Sequence, residues 1–276
     1  MPITPHPTLS RLSRRVGWPA ARARIIEGFY ILNHYGTVIV DPAAVAGALR
    51  ALPQFLRERR DYQALPGAPQ LRLYDDNPQL FDRTPRSPYD PHYLHQDAWA
   101  AREIHRRAPG GHVDVGSRIT FVAGLAAFVP VTFVDLRPLG AEVPNLESVA
   151  GDVLHLPFAD RSVDSLSCLH VAEHIGLGRY GDPLNPNGTR EAAAELARVL
   201  ARGGSLYFGL PVGHPRTNFN AHRVHDPLEV VSMFGELELA DFAGVGDDAR
   251  YHEPADPADF RDASWACGLY RFTRRG

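Results

Sequence analysis

Between residues 112 and 212 the chain repeats one kind of patterning: a short apolar run that delivers an acid or a glycine at its end. The runs are HVDVGSR at 112–118, TFVD at 132–135, GDV at 151–153 and SVDSLSC at 162–168, and GGSLYF at 203–208 closes the series. Buried strands that present polar groups at their C-terminal ends are how an open parallel α/β sheet builds a ligand crevice. The pattern therefore predicts a site for a nucleotide-like cofactor.

The spacing around these runs gives strands at 112–115, 131–135, 148–150, 163–168, 204–209, 237–243 and 267–273. Helices are expected at 97–106, 118–128, 188–202 and 226–234. Strands alternating with helices imply a doubly wound, mostly parallel sheet of Rossmann-like α/β type, here with seven strands. Ahead of it, apolar residues from 20 to 60 recur at helical spacing, interrupted at Gly36 and Pro42, and predict two or three helices. Residues 64–91 hold six prolines among Asp, Asn, Arg and Tyr, so irregular structure is expected there, as a lid, binding loop or linker. The division expected is a helical, Pro-rich cap region at 1–90 and a catalytic-type domain at 91–276.

At 276 residues and 44% hydrophobic, the chain can bury a large core. A net charge of −3 argues against a dedicated nucleic-acid binder. The basic stretch 1–26, with no acid before Glu27, suits contact with an anionic surface or a frayed solvated tail. No apolar run is long enough to span a bilayer and no secretory core is visible, so a cytoplasmic address is expected. Cys168 and Cys267 fall inside predicted strands, which points to buried free thiols rather than a disulfide or zinc framework. All 29 basic residues are arginine, which excludes Schiff-base and Walker-type lysine chemistry.

Three acids at successive strand ends make the cofactor pattern, and Asp135 and Asp152 carry most of the prediction. Asp114 and Gly116 sit where a strand turns into a helix, a turn that allows close backbone approach and offers free N–H groups to a ligand. Asp135 follows about 20 residues later at the end of the second strand, the spacing at which an acid accepts from both ribose hydroxyls. Asp152 ends the next strand region. Together they suit a cofactor with a ribose and an adenine amine.

These segments, with GDVLHLPFAD at 151–160, VAEH at 171–174 and the helix-to-strand turn RVLARGG at 198–204, resemble the class I S-adenosylmethionine-dependent methyltransferases over residues 97–273. More narrowly, the stretches at 90–93, 98–102, 176–183 and 219–223 resemble a methyltransferase-like family of undefined function. The resemblance implies S-adenosylmethionine as cofactor, with Asp114, Gly116 and Ser117 by its methionyl part, Asp135 on the ribose, and Asp152 with the Val153 backbone on the adenine. It also implies that Leu169 and His170 line the floor near the sulfonium. Arg118 and Thr120 replace the family's later glycines, and an arginine fork at 118 is suited to the cofactor carboxylate.

Methyl transfer from a sulfonium needs in-line alignment, and an alcohol or phenol acceptor also benefits from a general base. His174 is the first candidate, since an imidazole pKa of about 6.5 suits proton removal at neutral pH; His222, His170 and His225 are alternates, and His112 reads as core. Arg179, Tyr180 and Asp182, in a Gly/Pro-rich segment where related enzymes bind their acceptors, are expected to contact substrate, together with Tyr93. A histidine-rich crevice favours oxygen as the acceptor atom, and polar loops favour a small molecule or sugar.

Other readings compete. His170, Glu173 and His174 spell H-x-x-E-H, an inverted zinc-peptidase signature that needs both histidines on one helical face, although Gly176 and Gly178 would stop such a helix. No metal is otherwise expected. The irregular first motif also fits a binding or scaffold protein that kept the fold and lost the activity. A nicotinamide-dependent oxidoreductase is disfavoured by the missing glycines.

Overall fold

The computed structural model describes residues 41–275; the basic stretch 1–26 and the helical spacing up to residue 40 lie outside the described residues. The chain divides into two compact units, residues 1–89 and 90–276. Among the described residues of the first, helix α1 (Pro42–Gln63) starts where the sequence suggested a break. Pro42 occupies the first helical position, where its missing N–H costs nothing, and the Asp41 side chain accepts from the Ala43 and Ala44 N–H groups. Pro53 removes one donor inside the helix without ending it. Residues 64–89 are irregular apart from one 3-10 turn at Leu73–Asp75, as their proline content predicts.

The second unit is a three-layer α/β structure. It opens with α2 (Pro91–Arg107), β1 (His112–Val115), α3 (Ile119–Leu125), β2 (Val131–Asp135), β3 (Leu146–Ala150) and β4 (Val163–Leu169). There follow α4 (Gly188–Val199), β5 (Leu200–Val212), the hairpin β6 (Arg216–Asn218) and β7 (His222–Val224), α5 (Pro227–Met233), β8 (Glu238–Val245), β9 (Tyr251–His252) and β10 (Ala266–Thr273). The Asp-Pro signal that starts α1 recurs at α2 and α5, with Asp90 and Asp226 each accepting from two N–H groups of the first turn.

The sheet runs β3-β2-β1-β4-β5-β10-β8-β9. β1 to β5 are mutually parallel, and β10 inserts antiparallel between β5 and β8. This is the Rossmann-like doubly wound arrangement expected, with the two-residue β9 added at one edge as an eighth strand. Helices are fewer than in a regular alternation: β2 to β3 and β3 to β4 are joined without one. Trp99, Ile104, Phe121, Val122 and Leu125 of α2 and α3 pack on one face against Phe133, Tyr207 and Leu269. Ala192, Ala193, Leu196 and Val199 of α4 pack on the other against Val134, Leu166, Cys168 and Phe208.

Strand order reverses direction at β1 and β4, because β2 lies on one side of β1 and β4 on the other. A crevice opens outside the C-terminal ends of strands at such a switch point. Because β10 is antiparallel, its beginning rises to the same end of the sheet: Cys267 pairs with Pro211 near the end of β5. Among the described residues, no helix is long and apolar enough to cross a membrane.

Candidate active site

The turn after β1 is locked from below. Asp114 is fully buried, its Oδ1 accepts from the Ser117 N–H at 3.0 Å and its Oδ2 accepts from the Ser167 hydroxyl. Burial raises its pKa to about 6, against the lowering effect of those hydrogen bonds. The Ser117 hydroxyl oxygen in turn accepts from the Leu169 N–H at 3.1 Å, which ties β1 to β4. His112 bridges Ser165 and Ser167 at 2.8 Å each, so it is a core residue, as expected. The locked turn presents Gly116 to the crevice with φ of +68°, where a Cβ would stand 3.1 Å from Val171 Cγ1. Only glycine meets both conditions without strain.

The ends of β2 and β3 supply the other acids. Asp135 Oδ1 accepts from the Arg137 N–H at 2.7 Å, which leaves Oδ2 facing the bare backbone of Gly116. Asp152 Oδ1 accepts from the Leu154 N–H at 2.9 Å and shapes the turn that carries Val153. The resulting cleft is lined by Gly116, Asp135, Gly151 and Val153 on one side and by His170, Val171, His174 and Tyr180 on the other. The Arg137 guanidinium lies 4.8 Å from the centre of the Tyr180 ring, so the two walls meet through a cation–π contact.

The second wall is more heavily buried. His170 follows β4 with φ of +55°, a left-handed conformation uncommon for a residue with a Cβ. Its N–H donates to the Gly209 carbonyl at 2.8 Å, and its Nδ1 pairs with Gln96 Oε1. Gln96 reaches that position only because residue 209 is glycine; a Cβ there would come within 2.8 Å of Gln96 Oε1. Since an amide oxygen only accepts, the His170 proton sits on Nδ1, and its Nε2 has no hydrogen-bond partner. Burial lowers the His170 pKa well below the usual histidine value.

His174 donates from Nδ1 to the Ala221 carbonyl at 2.5 Å, and the Arg179 guanidinium donates to the same oxygen at 3.2 Å. Burial pulls its pKa to about 4, so the ring is neutral at physiological pH with its lone pair on Nε2. Glu173 Oε1 lies 3.6 Å from that nitrogen. Glu173 is fully buried, neither carboxyl oxygen has a partner, and burial drives its pKa up to about 8. Asp182 accepts from the N–H groups of Gly176 at 2.6 Å and Tyr180 at 3.2 Å. Burial pushes its pKa up, but these backbone donors outweigh that and hold it below the ordinary value.

Of the sequence-predicted residues, Gly116, Asp135, Val153, His170, His174 and Tyr180 meet on the cleft. Asp114, Ser117 and Leu169 lie beneath it as structural members, and Asp152 shapes the turn that carries Val153. Arg118 places its guanidinium 4.6 Å from the Tyr93 ring centre, and Tyr93 lies 5.1 Å from the His170 ring, with burial raising its pKa to about 12. Arg179 and Asp182 brace the loop that carries Tyr180. His222 pairs with Asn218 at 2.7 Å and packs 4.3 Å from the Trp265 ring, with burial lowering its pKa to about 4.

The zinc-peptidase alternative is not built. Residues 172–174 form one 3-10 turn, and His170 and His174 commit their Nδ1 atoms to separate acceptors, so no helical face aligns them. The sequence carries no pattern that singles out His92, Gln96, Gly209 or Trp265, and it marks Cys267 only as a buried thiol; His92, Gln96, Gly209 and Cys267 border His170, and Trp265 stacks on His92. The segments at 90–93 and 219–223 carried the only available signal, as parts of the narrower resemblance, but with no role for His92.

A family model described as "Caenorhabditis protein of unknown function, DUF268" matches residues 157–253. No curated protein matches the chain. Among solved structures, the chain is similar to the N-methyltransferase NodS from Bradyrhizobium japonicum WM9, with 16% identity and a TM-score of 0.49 over 68% of this chain and 98% of that one. NodS in complex with S-adenosyl-L-homocysteine gives 17% identity and a TM-score of 0.47, over 73% and 94% of the two chains. The YcgJ protein from Bacillus subtilis gives 17% identity and a TM-score of 0.47, over 66% and 99%.

Proposed function

We propose that this chain is an S-adenosylmethionine-dependent methyltransferase that methylates an oxygen of a small molecule or sugar. One observation carries the reading: the left-handed Gly116 turn and the free Oδ2 of Asp135 converge on a single cleft at the switch point of the sheet. A cofactor with a ribose needs both, a backbone without a Cβ to lie against and a carboxylate to take its hydroxyl protons. The cofactor fits these residues, since a Cβ at Gly116 would occupy the space beside Asp135 Oδ2. When bound, it supplies a methyl group activated on a sulfonium.

The chain's own residues do the rest. Asp135 orients the ribose, Asp152 and the Val153 backbone hold the adenine, and Arg118 supplies a guanidinium for the carboxylate. His174 accepts the acceptor hydroxyl proton at Nε2, and Arg179 fixes the Ala221 carbonyl that holds the ring's Nδ1–H. The imidazolium so formed has the Glu173 carboxyl within 3.6 Å, and its charge favours ionisation of that buried, otherwise protonated acid. Tyr180 lines the cleft, and Asp182, Tyr93 and His222 are the further residues assigned to the acceptor.

Calorimetric titration with S-adenosylhomocysteine tests the cofactor reading. Asp135→Ala removes charge-assisted hydrogen bonds worth about 1.5–3 kcal/mol each, so affinity should fall on the order of 100-fold. Unchanged affinity in that variant, or no binding by the parent protein, would remove the basis of the proposal.

A further inference from the structure

Behind the cleft wall, three side chains from three different elements bring metal-ligating atoms together. His92 comes from the first turn of α2, His170 from the end of β4 and Cys267 from the start of β10, and one ligand atom of each lies within 4.8 Å of the others. We propose that His92, His170 and Cys267 form a binding site for a zinc-type divalent transition metal with one coordination position left open.

The side chains are prepared for this role in ways that packing alone does not require. His170 Nδ1 donates to Gln96 Oε1, which fixes the ring and its tautomer and leaves the Nε2 lone pair exposed to no solvent and no partner. A ligating histidine whose other ring nitrogen is held by an acceptor is the usual arrangement around protein-bound metals. A buried polar atom without a partner carries a free-energy cost, and such atoms are rare in native structures. A metal ion resolves that cost. His92 is buried, is aimed by the Asp90 cap through its own N–H at 2.9 Å, and stacks on Trp265 with ring centres 5.8 Å apart. The left-handed backbone at His170 is a second conformational cost that turns this ring toward His92, with the ring centres 6.0 Å apart.

The donor set names the metal. One thiolate and two imidazoles are intermediate-to-soft ligands, which suit zinc, cobalt or copper and not magnesium or calcium. Tetrahedral zinc holds nitrogen at about 2.0–2.1 Å and sulfur at about 2.3 Å, so closing the site from the present separations takes a movement of about 1 Å. Binding releases the Cys267 proton to solvent and forms the metal–sulfur bond, leaving the charge of one ion, one thiolate and two neutral rings at plus one. His170 also lines the cleft, so the metal site borders the space where an acceptor would sit. A role in holding the acceptor's oxygen or thiol rests on the methyltransferase reading, whereas the metal site itself does not.

Full-length protein freed of metal with EDTA and titrated with cobalt(II) tests the site. One cobalt per chain and a near-ultraviolet thiolate-to-cobalt absorption are expected, with zinc displacing the cobalt. Cys267→Ser should abolish the absorption, and His92→Ala and His170→Gln should each weaken binding by 10-fold or more. His170→Gln, at the cleft edge, keeps the test open should Cys267→Ser fail to fold by circular dichroism. Absence of the absorption in folded parent protein, its survival in Cys267→Ser, or unaltered affinity in His170→Gln would each overturn the site. Cofactor binding by calorimetry is scored separately, so loss of one reading does not carry the other with it.

Discussion

The two walls of the cleft solve opposite problems. On the wall built by β1, β2 and β3, each acid uses one oxygen to close its own turn, Asp135 on the Arg137 N–H and Asp152 on the Leu154 N–H. The chemistry of these two acids is local, each closing on a residue two positions away, while Asp135 keeps Oδ2 free. On the wall built after β4, the groups are buried, drawn from distant parts of the chain, and incompletely paired: His170 Nε2 and both Glu173 oxygens have no partner. A wall whose turns are already closed can bind without changing. A wall holding unspent donors and acceptors is where proton movement or a metal belongs.

The largest expected effect separates binding from chemistry. His174→Ala removes the proposed base and should lower turnover by about 100- to 10,000-fold while leaving cofactor affinity within a few-fold of the parent. Because burial holds the His174 pKa at about 4, the parent's activity should stay flat from pH 6 to 8 and fall only as the ring gains a proton near pH 4. A parent profile that instead rises through pH 6.5 would assign the base to a solvated histidine. Equal losses of affinity and turnover in the variant would erase the distinction between the walls.

Gly209→Ala should cost about 1–3 kcal/mol of stability, the usual penalty of overpacking a filled core. The added Cβ would stand 2.8 Å from Gln96 Oε1 and 3.3 Å from Leu169 Cδ2, both buried. Displacement of Gln96 frees His170 Nδ1, so the damage should appear on the buried wall alone. Chemical denaturation measures the cost, and retained S-adenosylhomocysteine affinity checks that the cofactor wall is untouched. Loss of that affinity would mean that the two walls are mechanically coupled.

The same contrast explains what could be read from the sequence. The cofactor wall was legible because its residues lie in one continuous stretch and their spacing reflects strand and turn lengths, which local physics fixes. Asp114 was singled out for its position but proved to be a buried strut, since sequence does not show which of two acids near a turn meets a serine from the next strand. The second wall was not legible in the same way. His92, His170, His222, Trp265 and Cys267 meet only because β10 inserts antiparallel beside β5 and α2 folds over β4, and no local pattern encodes that meeting. The β6–β7 hairpin, whose connecting turn supplies the Ala221 carbonyl, was missed because strands of three residues carry almost no periodic signal.

The smallest expected effect concerns how the buried wall responds to pH in metal-free protein. Burial drives the Glu173 pKa up to about 8, so between its ordinary value of 4.5 and 8 the folded state holds a proton that the unfolded state has lost. This contribution to stability is complete below 4.5 and is lost as pH rises through 8. His174, His222 and His225 have folded-state pKa values lowered to about 4 by burial, so below 6.5 the unfolded state takes up their protons first and stability falls with acid. Stability should therefore peak near neutrality and decline on both sides. Glu173→Gln removes the alkaline limb, a slope on the order of 1 kcal/mol per pH unit, and keeps the acid limb. Urea midpoints from pH 5 to 9 in EDTA measure both limbs, and an unchanged slope above pH 6 in the variant would show that Glu173 is ionised in the folded protein.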